Sequence, residues 1–363
     1  MKLLIVSPTL NHGGAERVAT LWAEGFRKRG YEVFFVANIE DETAYSISDE
    51  VLPLTPKRGY KLIRYIKSLF LLRSYYKKYQ PDVIIGVMYA CSLLAKIAGC
   101  GFNIPIINTE HSSFERPQNA PFGKIDRFAK FYLNYLYDGT TILTEADYQI
   151  VGKRFRNVFV LPNPTFLIPL EDVPHKENIL LAAGRLDGWY VKGFDVLIRA
   201  WANVVSSLKL QVSSEGWRLQ SAGTGSEESL EYLKQLCKEN GVEETVDFLG
   251  FRTDIEELYK QSEIFVLSSR YEGFGMALIE AMSQGCACIA CDYRGRQKEI
   301  ISDDGMGLCC EPNSVEALAN SIRKMIEDDW YRKRAQLNAV LRSRDYTIEK
   351  IVNRWDEILK YYQ

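Results

Sequence analysis

Short apolar runs recur along the chain at intervals that a helix can fill. In the first half they are residues 3–6, 33–37, 83–87, 104–109, 140–143 and 158–161. Runs this short and apolar fit strands buried on both faces of a parallel sheet, with helices as the connections. Residues 14–29 read as the first such helix, ended by Gly30. Four prolines then fall close together, Pro162, Pro164, Pro169 and Pro174, and mark the best linker. Beyond them the pattern restarts: a strand at 179–183, a helix at 194–205, and strands at 218–222, 246–249, 264–268, 286–290 and 307–310. The final stretch, 347–363, is amphipathic, with Ile348, Ile351, Trp355, Ile358 and Leu359 on one face. The pattern predicts an α/β chain of two doubly wound, Rossmann-like domains, 1–167 and 168–346. They would face each other across a cleft, with the last helix crossing back to the first domain. In such sheets ligands bind beyond the carboxyl ends of the strands.

Length agrees with two domains, since 363 residues exceed what one core usually holds. The net charge of −2 hides an asymmetry: residues 1–167 hold 21 Lys and Arg against 15 Asp and Glu, and 168–363 hold 24 against 32. The halves are therefore expected to face different things. One Lys precedes 3–6 and Pro8 ends that run, so it does not read as a signal peptide, and no run is long enough to span a membrane. The eight cysteines are scattered; Cys286, Cys288 and Cys291 alternate as in a strand and lack a second cluster at zinc spacing. They read as small buried residues of a cytoplasmic protein. No metal site and no resident cofactor are expected.

The chemistry concentrates in the second half. Glu272-Gly-Phe-Gly-Met-Ala-Leu-Ile-Glu280 follows an apolar strand, which places Glu272 in a glycine loop and Glu280 within an otherwise apolar helix at about 274–284. A carboxylate in such a setting needs hydrogen-bond donors, and the vicinal hydroxyls of a ribose match its two oxygens. The N–H groups of Gly275, Met276 and Ala277 at the helix start form an anion seat. Together these suit a nucleotide-sugar. Arg185 and Lys192 follow the first strand of the second domain and fit a leaving diphosphate. The chain has no Asp-x-Asp to hold a metal there. In the first half, Gly13 and Gly14 precede a helix, where a bare backbone can approach a phosphate, although a tight turn reads equally well. His111 ends the strand at 104–109, where a parallel strand delivers side chains to a cleft, with Glu110 beside it as a weaker candidate. His12 reads as loop and His175 as linker.

Taken in order, Gly13-Gly14-Ala15-Glu16, Gly184-Arg185-Leu186, Lys192-Gly193-Phe194-Asp195, Ala222-Gly223-Thr224-Gly225, Phe248-Leu249-Gly250 and the Glu272–Glu280 segment resemble the retaining glycosyltransferases of the GT-B fold in family 4, known by a two-glutamate signature. The resemblance implies that Arg185 and Lys192 meet the donor diphosphate, Glu272 the sugar hydroxyls and Glu280 the ribose. It places Gly13, Gly14, Gly223 and Phe251 with Gly275, Met276 and Ala277 in the donor-binding set, and His111 in the catalytic one. It also implies a UDP-linked sugar as co-substrate, with GDP open, and a glycan or lipid-linked acceptor in cell-envelope polysaccharide synthesis. A weak likeness of residues 10–18 and 292–300 points to N-acetylhexosamine transfer.

Residues 57–79 carry eight basic residues and no acid, interleaved with Tyr60, Tyr65, Phe70 and aliphatic residues. Such a helix suits an anionic membrane surface or a pyrophosphate-bearing acceptor, and equally a helix packed on its own sheet with a solvated basic face. A peripheral position at the inner face of the membrane is expected. Nucleic acid is not expected as a partner, because no recognition motif accompanies the charge. Two other readings stay open: a GT-B-fold epimerase or phosphorylase, and a noncatalytic sugar-binding subunit.

Overall fold

The computed structural model describes residues 1–10, 13–38, 50–55, 60–117, 121–208, 216–303 and 305–363. His12, Lys57 and Arg58 lie outside the described residues, as do the side chains of Lys61 and Leu62. Two compact units divide the chain: Met1–Pro164 together with Ile348–Gln363, and Thr165–Thr347.

The first unit runs β1 (Lys2–Val6), α1 (Gly14–Lys28), β2 (Glu32–Ala37), β3 (Val51–Pro53), α2 (Lys61–Tyr79), β4 (Val83–Val87), α3 (Met88–Ala98), β5 (Ile106–Thr109), α4 (Lys124–Tyr132), β6 (Gly139–Ile142), α5 (Glu145–Val151) and β7 (Val158–Val160). Its seven strands are parallel, in the order β3-β2-β1-β4-β5-β6-β7. Leu3 to Val6 of β1 are fully buried at the centre, as expected of a strand covered on both faces. Side chains of α2 and α3, among them Leu72, Tyr76 and Leu94, pack on Leu4, Val6, Ile84 and Ile106.

The second unit runs β8 (Glu177–Ala183), α6 (Trp189–Lys192), α7 (Phe194–Leu208), β9 (Arg218–Ala222), α8 (Glu227–Glu239), β10 (Val246–Gly250), α9 (Ile255–Gln261), β11 (Ser262–Leu267), α10 (Met276–Ser283), β12 (Ala287–Cys291), β13 (Gly307–Cys310), α11 (Val315–Glu327) and α12 (Asp329–Ser343). Its six parallel strands are ordered β10-β9-β8-β11-β12-β13. Leu180, Trp201, Ile264, Ile289 and Ile322 share one core, and the Trp201 indole donates to Thr245 Oγ1 at 3.0 Å. All of β12 is buried, so the alternation read at Cys286–Cys291 reflects two covered faces rather than one wet and one dry.

The last helix, α13 (Ile348–Lys360), belongs to the first unit. Its Trp355 meets Trp22 and Phe26 of α1 edge-on, at 5.2 and 5.8 Å between ring centres. The two helices close to a distance only glycine permits: a Cβ on Gly25 would come within 2.6 Å of Val352 Cγ2 and 2.9 Å of Ile348 Cγ1. Asp356 fastens the far end, accepting from Arg29 Nη1 at 2.6 Å and from the Tyr31 hydroxyl at 2.8 Å. Burial first, and then Asp356, push the Tyr31 phenol up to about 12. Among the described residues no helix is long and apolar enough to cross a membrane.

Candidate active site

The loops after β8 and β11 meet at the carboxyl edge of the second sheet, and they meet through backbone. Arg270 N–H donates to Val191 O at 2.8 Å, and the Ser268 hydroxyl donates to Lys192 O at 2.8 Å. Gly193 ends α6 in the left-handed region at φ 69, where a Cβ would sit 2.0 Å from Ser268 O. Only glycine fits this turn. It sets Lys192 facing the loop of Glu272: Nζ lies 2.5 Å from Glu272 Oε1, which also accepts from the Ser269 hydroxyl at 2.9 Å. The carboxylate raises the Lys192 ammonium above its ordinary range against the opposing effect of burial. Lys192 and Glu272, 80 residues apart, thus form one ion pair with both side chains partly open to solvent.

A second ion pair braces the first. Arg270 forks onto Asp195 with Nη1–Oδ1 at 2.6 Å and Nη2–Oδ2 at 2.7 Å, both side chains nearly buried. The same guanidinium donates to Tyr190 O at 2.5 Å and to Asn313 Oδ1 at 2.9 Å, and lies 4.1 Å over the Tyr190 ring. It therefore holds α6, and Lys192 at its end, against the β11 loop. Nothing in the spacing of Asp195 and Arg270 announces this pairing, because 75 residues separate them.

Gly275 begins α10 in the left-handed region at φ 111, so the helix opens at Met276 and not at Phe274 as the sequence suggests. Phe274 is buried before it, its carbonyl accepting from Gln297 Nε2 at 3.1 Å. Glu280, 9% exposed, sits inside α10, with the Tyr259 hydroxyl 3.3 Å from Oε2. Burial, then the Glu280 charge, raise the Tyr259 phenol well above its usual value, so it stays a proton donor to the carboxylate. Met276 and Ala277 are half-buried in the first turn of this eight-residue helix.

Along the neighbouring strands the edge is stitched by backbone: Gly184 N–H to Ala222 O at 2.9 Å, Gly223 N–H to Gly250 O at 2.8 Å, Leu186 N–H to Thr224 O at 2.7 Å. A Cβ on Gly223, at φ 153, would fall 1.8 Å from Gly184 O, so close strand packing alone demands glycine there. Arg185 follows with an exposed side chain beside Asp187. The Ser226 N–H and hydroxyl hold the Asp187 carboxyl low, and Arg185 adds to them. Phe251, after β10, is exposed.

The first unit presents a different edge. Gly13 caps α1 in an extended conformation, and a Cβ there would sit 1.8 Å from Glu16 Oε2. The carboxylate of Glu16 thus folds back over the helix start, the place read as an approach for phosphate, with Gly14 exposed next to it. His111 Nδ1 lies 3.2 Å from Asn163 Oδ1 and Nε2 lies 3.0 Å from Thr109 Oγ1. Asn163 Oδ1 only accepts, so Nδ1 carries the proton and Nε2 the lone pair. The ring also packs 5.4 Å from Trp22. Burial pushes its pKa down to about 4, so the imidazole is neutral near pH 7. Glu110 is committed elsewhere: Lys130 Nζ lies 3.1 Å from its Oε2, both side chains are buried, and Asn108 donates to its Oε1 at 3.1 Å.

Residues 168–342 match the family described as Glycosyl transferases group 1, and residues 12–165 match Glycosyltransferase Family 4. Amylovoran biosynthesis glycosyltransferase AmsD of Erwinia amylovora is 30% identical over 369 residues, covering 98% of this chain and 99% of that one. The "GalNAc-alpha-(1->4)-GalNAc-alpha-(1->3)-diNAcBac-PP-undecaprenol alpha-1,4-N-acetyl-D-galactosaminyltransferase" of Campylobacter jejuni is 28% identical, covering 99% and 98%. The structure of Anabaena HepE in complex with UDP and glucose aligns at a TM-score of 0.79 and 20% identity, covering 99% and 100%. That likeness shows a shared GT-B fold of two Rossmann-like domains. With both halves matched by these families and a relative aligned end to end, the chain belongs to the glycosyltransferases, with a family 4 segment in its first half and a group 1 segment in its second.

Proposed function

We propose that the chain transfers a sugar from a UDP-sugar, with retention of anomeric configuration and without a metal, to a glycan carried on a lipid-linked pyrophosphate during cell-envelope polysaccharide synthesis. The second unit takes the donor and the first unit the acceptor. The observation that carries this reading is the braced Lys192–Glu272 pair at the carboxyl edge of β8 and β11, with Arg185 after β8 and Glu280 buried in the next helix. In this role Glu280 accepts from the ribose hydroxyls, and the first N–H groups of α10 face the diphosphate. Lys192 and Arg185 neutralise the charge that grows on the diphosphate as the glycosidic bond breaks, a contribution largest in the transition state. Glu272 orients Lys192 and accepts from the sugar hydroxyls. The departing phosphate oxygen takes the acceptor's proton while the acceptor attacks the same face. Gly223 and Phe251 border the donor on the second unit. His111 contributes as a neutral hydrogen-bonding group.

The relatives support the acceptor class, since the Campylobacter jejuni enzyme is named for a glycan on PP-undecaprenol and AmsD for amylovoran biosynthesis. HepE, of the same fold, was solved with UDP. The first unit offers a seat for such an acceptor in α2, where Ile66 and Phe70 are exposed beside Lys67. A panel of radiolabelled UDP- and GDP-sugars, with a water control and an undecaprenyl-pyrophosphate glycan as acceptor, tests the proposal. Transfer from a UDP-sugar to the glycan, persisting in EDTA and giving the donor's anomer by NMR, is expected. Restoration of an EDTA-treated enzyme by Mg²⁺ or Mn²⁺ would overturn the metal-free course, and an inverted anomer the retaining one.

A further inference from the structure

Helix α4 keeps much of its apolar surface on its outer side. A helix packed on its own sheet turns its apolar stripe inward. Here the inward side carries only Ala129, Phe131, which packs on Phe114, and Lys130, 4% exposed and paired with Glu110. The outward side carries Ile125, Phe128 and Tyr132, 78%, 56% and 60% exposed, spaced three and four residues apart. The stripe runs on through the 3₁₀ turn Leu133–Leu136, where Tyr135 and Leu136 are also exposed. The rings of Phe128 and Tyr132 stack with centres 5.4 Å apart, so part of this surface is already ordered.

The surroundings are cationic. Lys124 and Arg127 flank the stripe on α4, and both are exposed. Arg154 lies 5.8 Å over Phe131 of the same helix, within the run Gly152-Lys-Arg-Phe-Arg-Asn157, which has three cations and no acid. Arg116 lies 4.9 Å over Phe122 just ahead of the helix. The one acid in α4, Asp126, accepts from the Tyr89 hydroxyl of α3 at 2.9 Å. An aromatic and aliphatic stripe rimmed by Lys and Arg matches the interfacial zone of a bilayer with anionic headgroups. A second copy docking on this face would set the two cationic rims against each other.

We propose that Ile125, Phe128, Tyr132, Tyr135 and Leu136 seat in the headgroup zone of an anionic bilayer. This surface is distinct from the basic helix α2, though both flank α3. It rests on the reading that the acceptor is lipid-linked, and gives that reading a physical place: an enzyme held on the surface where its acceptor resides. The side chains are exposed, so replacing them leaves the core intact.

The test is co-sedimentation with phosphatidylcholine vesicles, with and without phosphatidylglycerol, at low salt, comparing wild type with the double variant Phe128→Ser, Tyr132→Ser. Wild type should bind the phosphatidylglycerol vesicles, and the double variant at least about tenfold more weakly, with an unchanged thermal midpoint. Phe128→Leu should retain binding. Equal binding by the double variant and wild type overturns the proposal. So does a wild-type dimer in solution that the double variant dissociates, because a second copy would then cover the stripe. Vesicle binding needs no turnover, so a failure to transfer sugar from any nucleotide-sugar sinks the functional reading and leaves this result standing.

Discussion

The two units repeat the same strand–helix architecture but finish their carboxyl edges in opposite ways. In the second unit charge is left partly open: Lys192 pairs with Glu272 over the nearly buried brace of Arg270 and Asp195. In the first unit charge is put away. Glu110 and Lys130 are paired in the interior, and His111 is held neutral between Thr109 and Asn163. Under the proposed function this contrast is a division of labour. A site that stabilises a departing diphosphate needs fixed charge that costs no reorganisation when the bond breaks. A surface that only positions a neutral hydroxyl needs shape and hydrogen bonds. Substitutions on each edge distinguish a chemical asymmetry from a merely structural one.

Removing the charge at the second edge should do the most. Lys192→Ala is expected to lower turnover by about 10²–10³-fold with a smaller change in KM, the range seen when a transition-state donor is lost. Steady-state kinetics check this. A variant that keeps turnover and loses only stability would make the Lys192–Glu272 pair scaffolding. Glu280→Gln should come next. It removes the charge and one accepting oxygen while keeping the size, and UDP binding should weaken by roughly 1.5–3 kcal/mol. Unchanged affinity by calorimetry in a folded variant would remove the ribose from this carboxylate.

How much of this asymmetry was readable beforehand follows from what sequence patterns can carry. The strands were legible because buried parallel strands are short apolar runs with clear borders, as at Leu3–Val6 and Ile264–Leu267. The three-residue β3 is too short to leave such a run. Helix α3 follows β4 without a loop, through Met88 at φ 63, and its outer turns are as apolar as its inner ones, so no period separates it from the strand. Lys192, Glu272 and Glu280 were legible as candidates because each sits in a local motif of glycines and apolar residues. Their distant partners were not: Tyr259 reaches Glu280 only through the fold, and the Arg270–Asp195 and Glu110–Lys130 pairs join residues no local pattern relates. The start of α10 was read two residues early because a glycine at φ 111 interrupts an apolar run without changing its polarity.

The brace offers a subtler test. Arg270→Lys keeps one positive charge near Asp195 but loses the planar fork that also holds Tyr190 O and Asn313. If the fork positions Lys192, turnover should fall by about tenfold, less than in Lys192→Ala, and the thermal midpoint should drop because Asp195 remains nearly buried with a poorer partner. A loss of stability with full turnover would confine Arg270 to holding the fold.

The smallest effect should come from the first edge, and its pH dependence sharpens the contrast. Burial lowers the folded-state pKa of His111 from 6.5 to about 4, so the unfolded chain binds more protons than the folded one between those values. The stabilisation from a neutral His111 is therefore fully present above about pH 6.5 and is lost as pH falls toward 4. Near pH 7 the imidazole of the folded chain carries no charge, and its Nδ1 proton is engaged by Asn163 Oδ1. His111→Gln should consequently leave the pH–rate profile between 5 and 8 unmoved, change turnover by less than about tenfold, and flatten the loss of thermal stability between pH 6.5 and 4. A profile whose inflection near 6–7 vanishes in the variant would mean that His111 titrates during catalysis. The first edge would then carry proton chemistry of its own, and the division of labour between the two units would fail at that residue.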